Sequence, residues 1–131
     1  MAKGRTEKGG SMVVLSFRIT APDHQRGDIL KSLRSLIGPT SAEAACAACQ
    51  VFQEADNPNT ICFVQAWSSN EALQRHVRSH QYRQLLSVLD LSNTSPEVRL
   101  DSVSPICGGI DVLAGFAPDN SAFETTISKE E

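Results

Sequence analysis

Two stretches of helical periodicity, separated by a pair of strand-like segments joined through a tight turn, restrict this chain to very few folds. Met12–Thr20 (MVVLSFRIT) is β-branched and aromatic and reads as a strand. Pro22 and Asp23 follow where a helix begins. Ile29, Leu30, Leu33, Leu36 and Ile37 then recur at helical spacing, and Gly38-Pro39 is expected to close that helix. Residues 46–53 (CAACQVFQ) and 60–67 (TICFVQAW) read as two strands of a hairpin around Ala55-Asp56-Asn57-Pro58-Asn59.

Ser68 with Glu71 matches a capping box, so a second helix is expected over about 69–90, burying Leu73, Val77, Leu85, Leu86 and Leu89. Ser95-Pro96 breaks the chain, and 97–106 (EVRLDSVSPI) alternates like a fourth strand. Gly108-Gly109 bends it before a short apolar piece, Ile110–Ala114. The order β-α-β-β-α-β defines an α+β, ferredoxin-like architecture: two helices cover one face of a four-stranded antiparallel sheet. The other face needs polar residues or a partner, and the leftover apolar arm at 110–114 favours the partner. The domain is expected to span 12–115, between polar, flexible tails at 1–11 and 116–131.

Composition narrows the classes of function. The 131-residue chain carries 12 Lys+Arg against 15 Asp+Glu, a net charge of −3, so there is no basic excess for nucleic acid or anionic lipid. No segment approaches the roughly 18 apolar residues of a membrane span, and Met1–Ser11 lacks a signal-type apolar run. A cytoplasmic location is the expectation. Cys46, Cys49, Cys62 and Cys107 then read as reduced thiols.

The run Phe63-Val64-Gln65-Ala66-Trp67-Ser68-Ser69-Asn70-Glu71-Ala72-Leu73-Gln74-Arg75-His76 resembles the hallmark of the antibiotic biosynthesis monooxygenase family. There a strand ending in Trp enters a helix opening Glu-Ala-Leu, with a His about one turn later. Ser79-His80-Gln81-Tyr82 is similar to the family's continuation, Ala45-Cys46 to its Gly-Cys approach to strand two, and Val98–Val103 with Gly108-Gly109 to its last strand and arm. The likeness covers roughly residues 12–114. Two positions depart from the pattern: Gln65 stands where the family usually has Glu, and Ala45 where it usually has Gly. The first departure removes a carboxylate that serves as a base or as a structural anchor.

The resemblance implies a homodimer whose sheets associate into an α+β barrel, with a pocket between sheet and helices in each subunit. It also implies oxygenation of phenols or quinols with dioxygen and without metal or flavin. Other members degrade haem or isomerise small carbonyl compounds, and some have no known activity. Haem-degrading relatives use an Asn on the first strand and a His late in the second helix. Strand 12–20 has no Asn and residues 81–91 have no His.

His76 is the candidate catalytic base, since histidine exchanges protons near neutral pH; the alternative is a satisfied half-buried core histidine. Trp67 is either an aromatic wall for substrate or a core anchor. Gln65 shares its strand face and can orient a hydroxyl by hydrogen bonding. Arg18 either steadies a developing anion or pairs with an acidic neighbour. Tyr82 completes the candidate substrate-binding set. Cys46-x-x-Cys49 is expected to splay across opposite faces of a strand, which disfavours a disulfide or zinc site. His76 and His80 are four apart but lack a third ligand. No phosphate loop or nucleophile turn is present.

Taken with these residues, the resemblance implies a cofactor-independent monooxygenase acting on an aromatic phenol or quinol, with neither metal nor organic cofactor expected. The alternative is a non-catalytic dimeric domain that binds a small molecule or supports assembly. An open cavity touching both His76 and Trp67 distinguishes the first from the second.

Overall fold

A computed structural model of the chain describes residues 11–116. The expected tails, 1–11 and 116–131, lie outside these residues except for Ser11 and Phe116. Residues Ser11–Ser104 form one compact unit. Its elements are β1 (Met12–Thr20), a short 3₁₀ turn (Asp23–Gln25), α1 (Arg26–Ser41), β2 (Cys46–Gln53), β3 (Thr60–Trp67), α2 (Asn70–His76), α3 (His80–Leu89) and β4 (Glu97–Val103). The strands form one antiparallel sheet in the order β2-β3-β1-β4. This is the ferredoxin-like α+β fold.

Alternation along the strands decides which face meets the helices. Val13, Leu15, Phe17 and Ile19 of β1 and Ile61, Phe63, Gln65 and Trp67 of β3 are buried on that face. Ile29, Leu33 and Leu36 of α1 and Leu85 and Leu89 of α3 close the core over them. Each of the larger aliphatic and aromatic side chains contributes about 1.5–3 kcal/mol by leaving water. The opposite face, with Val14, Ser16, Cys62, Val64 and Ala66, stays half-buried, and Arg18 and Phe52 are more exposed on it.

Four local expectations change. Helix α1 runs through Gly38-Pro39 to Ser41. A proline in the last turn forfeits one backbone bond, and burial of Leu36 and Thr40 holds that turn on the sheet. The N-cap of α2 is Ser69 rather than Ser68: its side chain accepts from the Ala72 N–H at 3.1 Å. Ser68 instead donates its own N–H to the Ala45 carbonyl at 2.9 Å.

The second helix is broken at 77–79, where Arg78 and Ser79 donate back only three residues, to Arg75 and His76. Ser79 then caps α3, its Oγ accepting from Tyr82 N–H at 3.2 Å. Finally, β4 stops at Val103, and Ile110–Phe116 forms a 3₁₀ helix.

The cysteine geometry also departs from expectation. A bulge lies between Cys46 and Ala48, so Cys46 pairs with Trp67 and Cys49 with Gln65. Trp67 and Gln65 share a face, so both thiols point toward the helices rather than to opposite sides. The extra residue of a bulge shifts the alternation by one. All four cysteines are free thiols in this structure.

Candidate active site

Three of the sequence-predicted residues meet in the buried layer between β3 and α2. Strand alternation puts Gln65 and Trp67 on the same face, and the Trp67 indole N–H donates to Gln65 Oε1 at 3.1 Å. The first turns of α2, set by the Ser69 cap, deliver His76 onto the Trp67 ring, with ring centroids 4.6 Å apart and planes tilted 32°. His76 is 1% exposed. Its Nδ1 lies 3.0 and 3.1 Å from the two carboxylate oxygens of Glu43. A carboxylate only accepts, so this contact is a hydrogen bond when Nδ1 carries the proton. The other ring nitrogen, Nε2, is buried without a hydrogen-bond partner among the described residues.

Glu43 escaped the sequence reading. It lies in the loop between α1 and β2, 33 residues before His76, and no local pattern ties the two. The loop is shaped by Ala45, which holds φ 69° in the left-handed region. Among the described residues it is the only non-glycine at positive φ. L side chains adopt that conformation at a cost that glycine avoids.

Tyr82 occupies the next position outward. Its ring stands edge-on to the His76 imidazole, centroids 5.7 Å apart. It also lines a cavity of about 430 Å³, within the range of small-molecule sites. Leu15 and Phe17 of β1 form the cavity floor; Leu73, Val77, Tyr82 and Leu86 wall it on the helix side. Val98 and Leu100 of β4 complete it. These two pair with Phe17 and Leu15, so they face the helix side, yet they are 61% and 57% exposed. Val77 and Leu86, expected on a buried stripe, are likewise exposed along this opening. Asp90 is the one charged residue on the lining. Neither His76 nor Trp67 reaches the cavity wall.

Arg18 lies elsewhere. It is on the opposite face of the sheet, in a depression with Ser16, Cys62, Val64, Glu97 and Arg99. Its Nε and Nη2 donate to Glu54 Oε2 at 3.1 and 2.8 Å, and Glu97 is 3.6 Å away. These carboxylates raise the already high guanidinium pKa, the Glu54 hydrogen bond contributing most. The fold therefore gathers His76, Trp67, Gln65 and Tyr82 and separates Arg18 from them. Among the described residues no group of three or more His, Cys, Asp or Glu side chains is arranged to hold a metal ion. Likewise, no helix there is long and apolar enough to cross a membrane.

The sequence model of antibiotic biosynthesis monooxygenases matches residues 12–86. No curated protein matches the chain. Solved structures share the fold. A conserved protein from Methanosarcina mazei superposes with TM-score 0.67 at 19% identity, over 72% of this chain and 94% of that one. A candidate antibiotic biosynthesis monooxygenase from Nitrosomonas europaea gives 0.69 at 14% identity, over 76% and 96%. Another, from Deinococcus radiodurans, gives 0.67 at 15% identity, over 73% and 96%.

Proposed function

Because the chain belongs to the antibiotic biosynthesis monooxygenase family, we propose that it oxygenates an apolar aromatic phenol or quinol with dioxygen, using His76 as the base. The observation that carries this reading is the apolar cavity whose Tyr82 wall backs directly onto the His76 imidazole. Leu, Val and Phe side chains would hold a fused aromatic ring system by desolvation. Trp67 and Gln65 support the imidazole and its surroundings from behind. Arg18, on the other sheet face, would reach a substrate only across an assembly of two sheets.

In this mechanism His76 Nε2 takes the acidic proton of the substrate. The resulting anion passes one electron to dioxygen, and the radical and superoxide join in a new C–O bond. The O–O bond then breaks: one oxygen stays on carbon as a carbonyl. The other leaves as water, with the proton held by the imidazolium and the hydrogen lost from the same carbon. Dry, apolar walls keep the anion from being quenched by solvent. Tyr82 separates the cavity from His76, so its ring must shift or relay the proton.

A second reading has its own observation. His76 is buried in a filled layer and lines no cavity, as expected of a non-catalytic domain that only binds an apolar molecule. Oxygen uptake by chelator-treated protein, measured against a panel of quinols and anthrones, separates the two. On the enzyme reading His76→Ala lowers turnover by ~10²–10⁴-fold, while Gln65→Ala, which removes the acceptor of the Trp67 indole N–H, acts more weakly because Gln65 does not line the cavity. Wild-type turnover retained in His76→Ala, below the substrate's own pKa, would remove His76 from the chemistry. Quinol binding without oxygen uptake by the wild type would favour the binding domain.

A further inference from the structure

We propose that Glu43 is the positioning residue that fixes the tautomer of His76, holding the proton on Nδ1 and leaving Nε2 as the free, proton-accepting nitrogen. The inference rests on the reading of His76 as a base for its catalytic meaning, but the tautomer itself can be observed without any substrate.

A neutral imidazole has one N–H, and its neighbours decide which nitrogen carries it. Two groups lie near Nδ1. Glu43 offers both carboxylate oxygens, at 3.0 and 3.1 Å. The Ser79 hydroxyl lies at 3.5 Å and would favour the opposite tautomer if it donated to a bare Nδ1. Distance and charge both favour Glu43: a hydrogen bond to a carboxylate is roughly twice as strong as a neutral one, and 3.5 Å is at the outer limit for a hydroxyl contact. Ser79 Oγ also accepts the α3 cap hydrogen bond, which leaves its own proton free, so distance and charge decide for Glu43.

The far side of the ring agrees. Nε2 is buried and meets no donor or acceptor among the described residues, so none of these competes for the proton. Trp67 and Tyr82 pack on the ring through their aromatic surfaces and hold its plane. Glu43 therefore acts at one nitrogen while the chemistry is reserved for the other.

The test is nitrogen NMR of histidine-labelled protein at a pH above the ordinary histidine range. The chain has three histidines. His24 and His80 are exposed and serve as internal references, and His76→Gln assigns the buried signal. In the wild type, His76 Nδ1 is expected to appear as a protonated nitrogen and Nε2 as an unprotonated one. In Glu43→Ala that bias should be lost, and in Glu43→Gln, whose amide oxygen still accepts, it should be partly restored. Folding of each variant is verified by circular dichroism. Wild-type protein with the proton on Nε2, or folded Glu43→Ala with an unchanged Nδ1–H signature, overturns the proposal.

A quinol assay adds an independent arm. There Glu43→Gln should lower kcat by ~10-fold or more with little change in KM, since the residue does not line the cavity. An NMR result as expected with no quinol turnover in the wild type would refute the enzymatic reading while leaving the tautomer assignment intact.

Discussion

Ala45 sits at φ 69° with its side chain exposed, so Ala45→Gly relieves strain and sacrifices almost no buried surface. A left-handed conformation costs an L-residue roughly 1–2 kcal/mol. Glycine pays about 0.5–1 kcal/mol more than alanine in lost backbone freedom on folding. The difference is a net stabilisation of about 0.5–1 kcal/mol. For a domain of this size that raises Tm by roughly 2–6 °C.

The Ala45 carbonyl that accepts Ser68 N–H at 2.9 Å belongs to the backbone and survives the change. Urea unfolding followed by circular dichroism should show a higher midpoint at an unchanged m-value. Ala45→Val is the control: a β-branched residue at positive φ is penalised further, so its midpoint should fall below wild type. The strain argument fails if Ala45→Gly is neutral or destabilising, or if Ala45→Val is tolerated.

Other outcomes can be measured alongside. Ser79→Ala removes the α3 cap at Tyr82 N–H and should cost ~1 kcal/mol in the same unfolding assay; no loss would mean that water replaces the hydroxyl. Burial above all, with the nearby Cys46 adding to it, pushes the Cys49 thiol up from 9.0 to about 12. Native protein at mildly alkaline pH should therefore be labelled by iodoacetamide at exposed Cys107 well before Cys49, and equal rates would contradict the burial. The same shift carries a sign for stability. The folded chain keeps a proton that the unfolded chain releases above 9.0, so this contribution is complete below that pH and is lost as pH climbs toward about 12. We also expect a homodimer formed through the exposed sheet face, burying on the order of 2,000 Å². Light scattering showing a monomer at micromolar concentration would exclude it.

The strands of this fold are legible in sequence because β-branched residues cluster there and the turns between them carry Pro and Asn. The core face of β1 and β3 follows from simple alternation. Features that depend on an added residue or a long-range contact are not. The bulge after Cys46 reverses the expected splay of two thiols, and one-residue alternation cannot anticipate it. The break at 77–79 hid inside a continuous helical stripe, because Ser79 reads as an ordinary polar position until its hydroxyl is seen capping Tyr82. At the site, Trp67, His76 and Tyr82 are marked by their order and spacing. Glu43 is an unremarkable loop acid until the fold closes a 33-residue gap. Arg18 falls on the face opposite Phe17 by the same alternation, and it stood with the others only through the chemistry of its guanidinium.

The pairing of the first and last strands of the domain has a consequence for how the chain can be rewired. Met12 of β1 is the direct antiparallel partner of Val103 of β4, and such partners lie only about 4.5–5.5 Å apart between Cα atoms. A linker of a few residues can thus join Ser104 to Ser11 without bending either strand. New ends can be opened in the exposed hairpin turn between Asp56 and Asn57. In this permuted chain β3, which lies between β2 and β1 in the sheet, comes first. The contact between β1 and β4, nearly a whole domain apart in the natural order, becomes a local hairpin. Local contacts close faster than distant ones, so the permutant should gain folding speed on this side of the sheet. It gives up the β2–β3 hairpin, whose strands then sit at opposite ends of the chain.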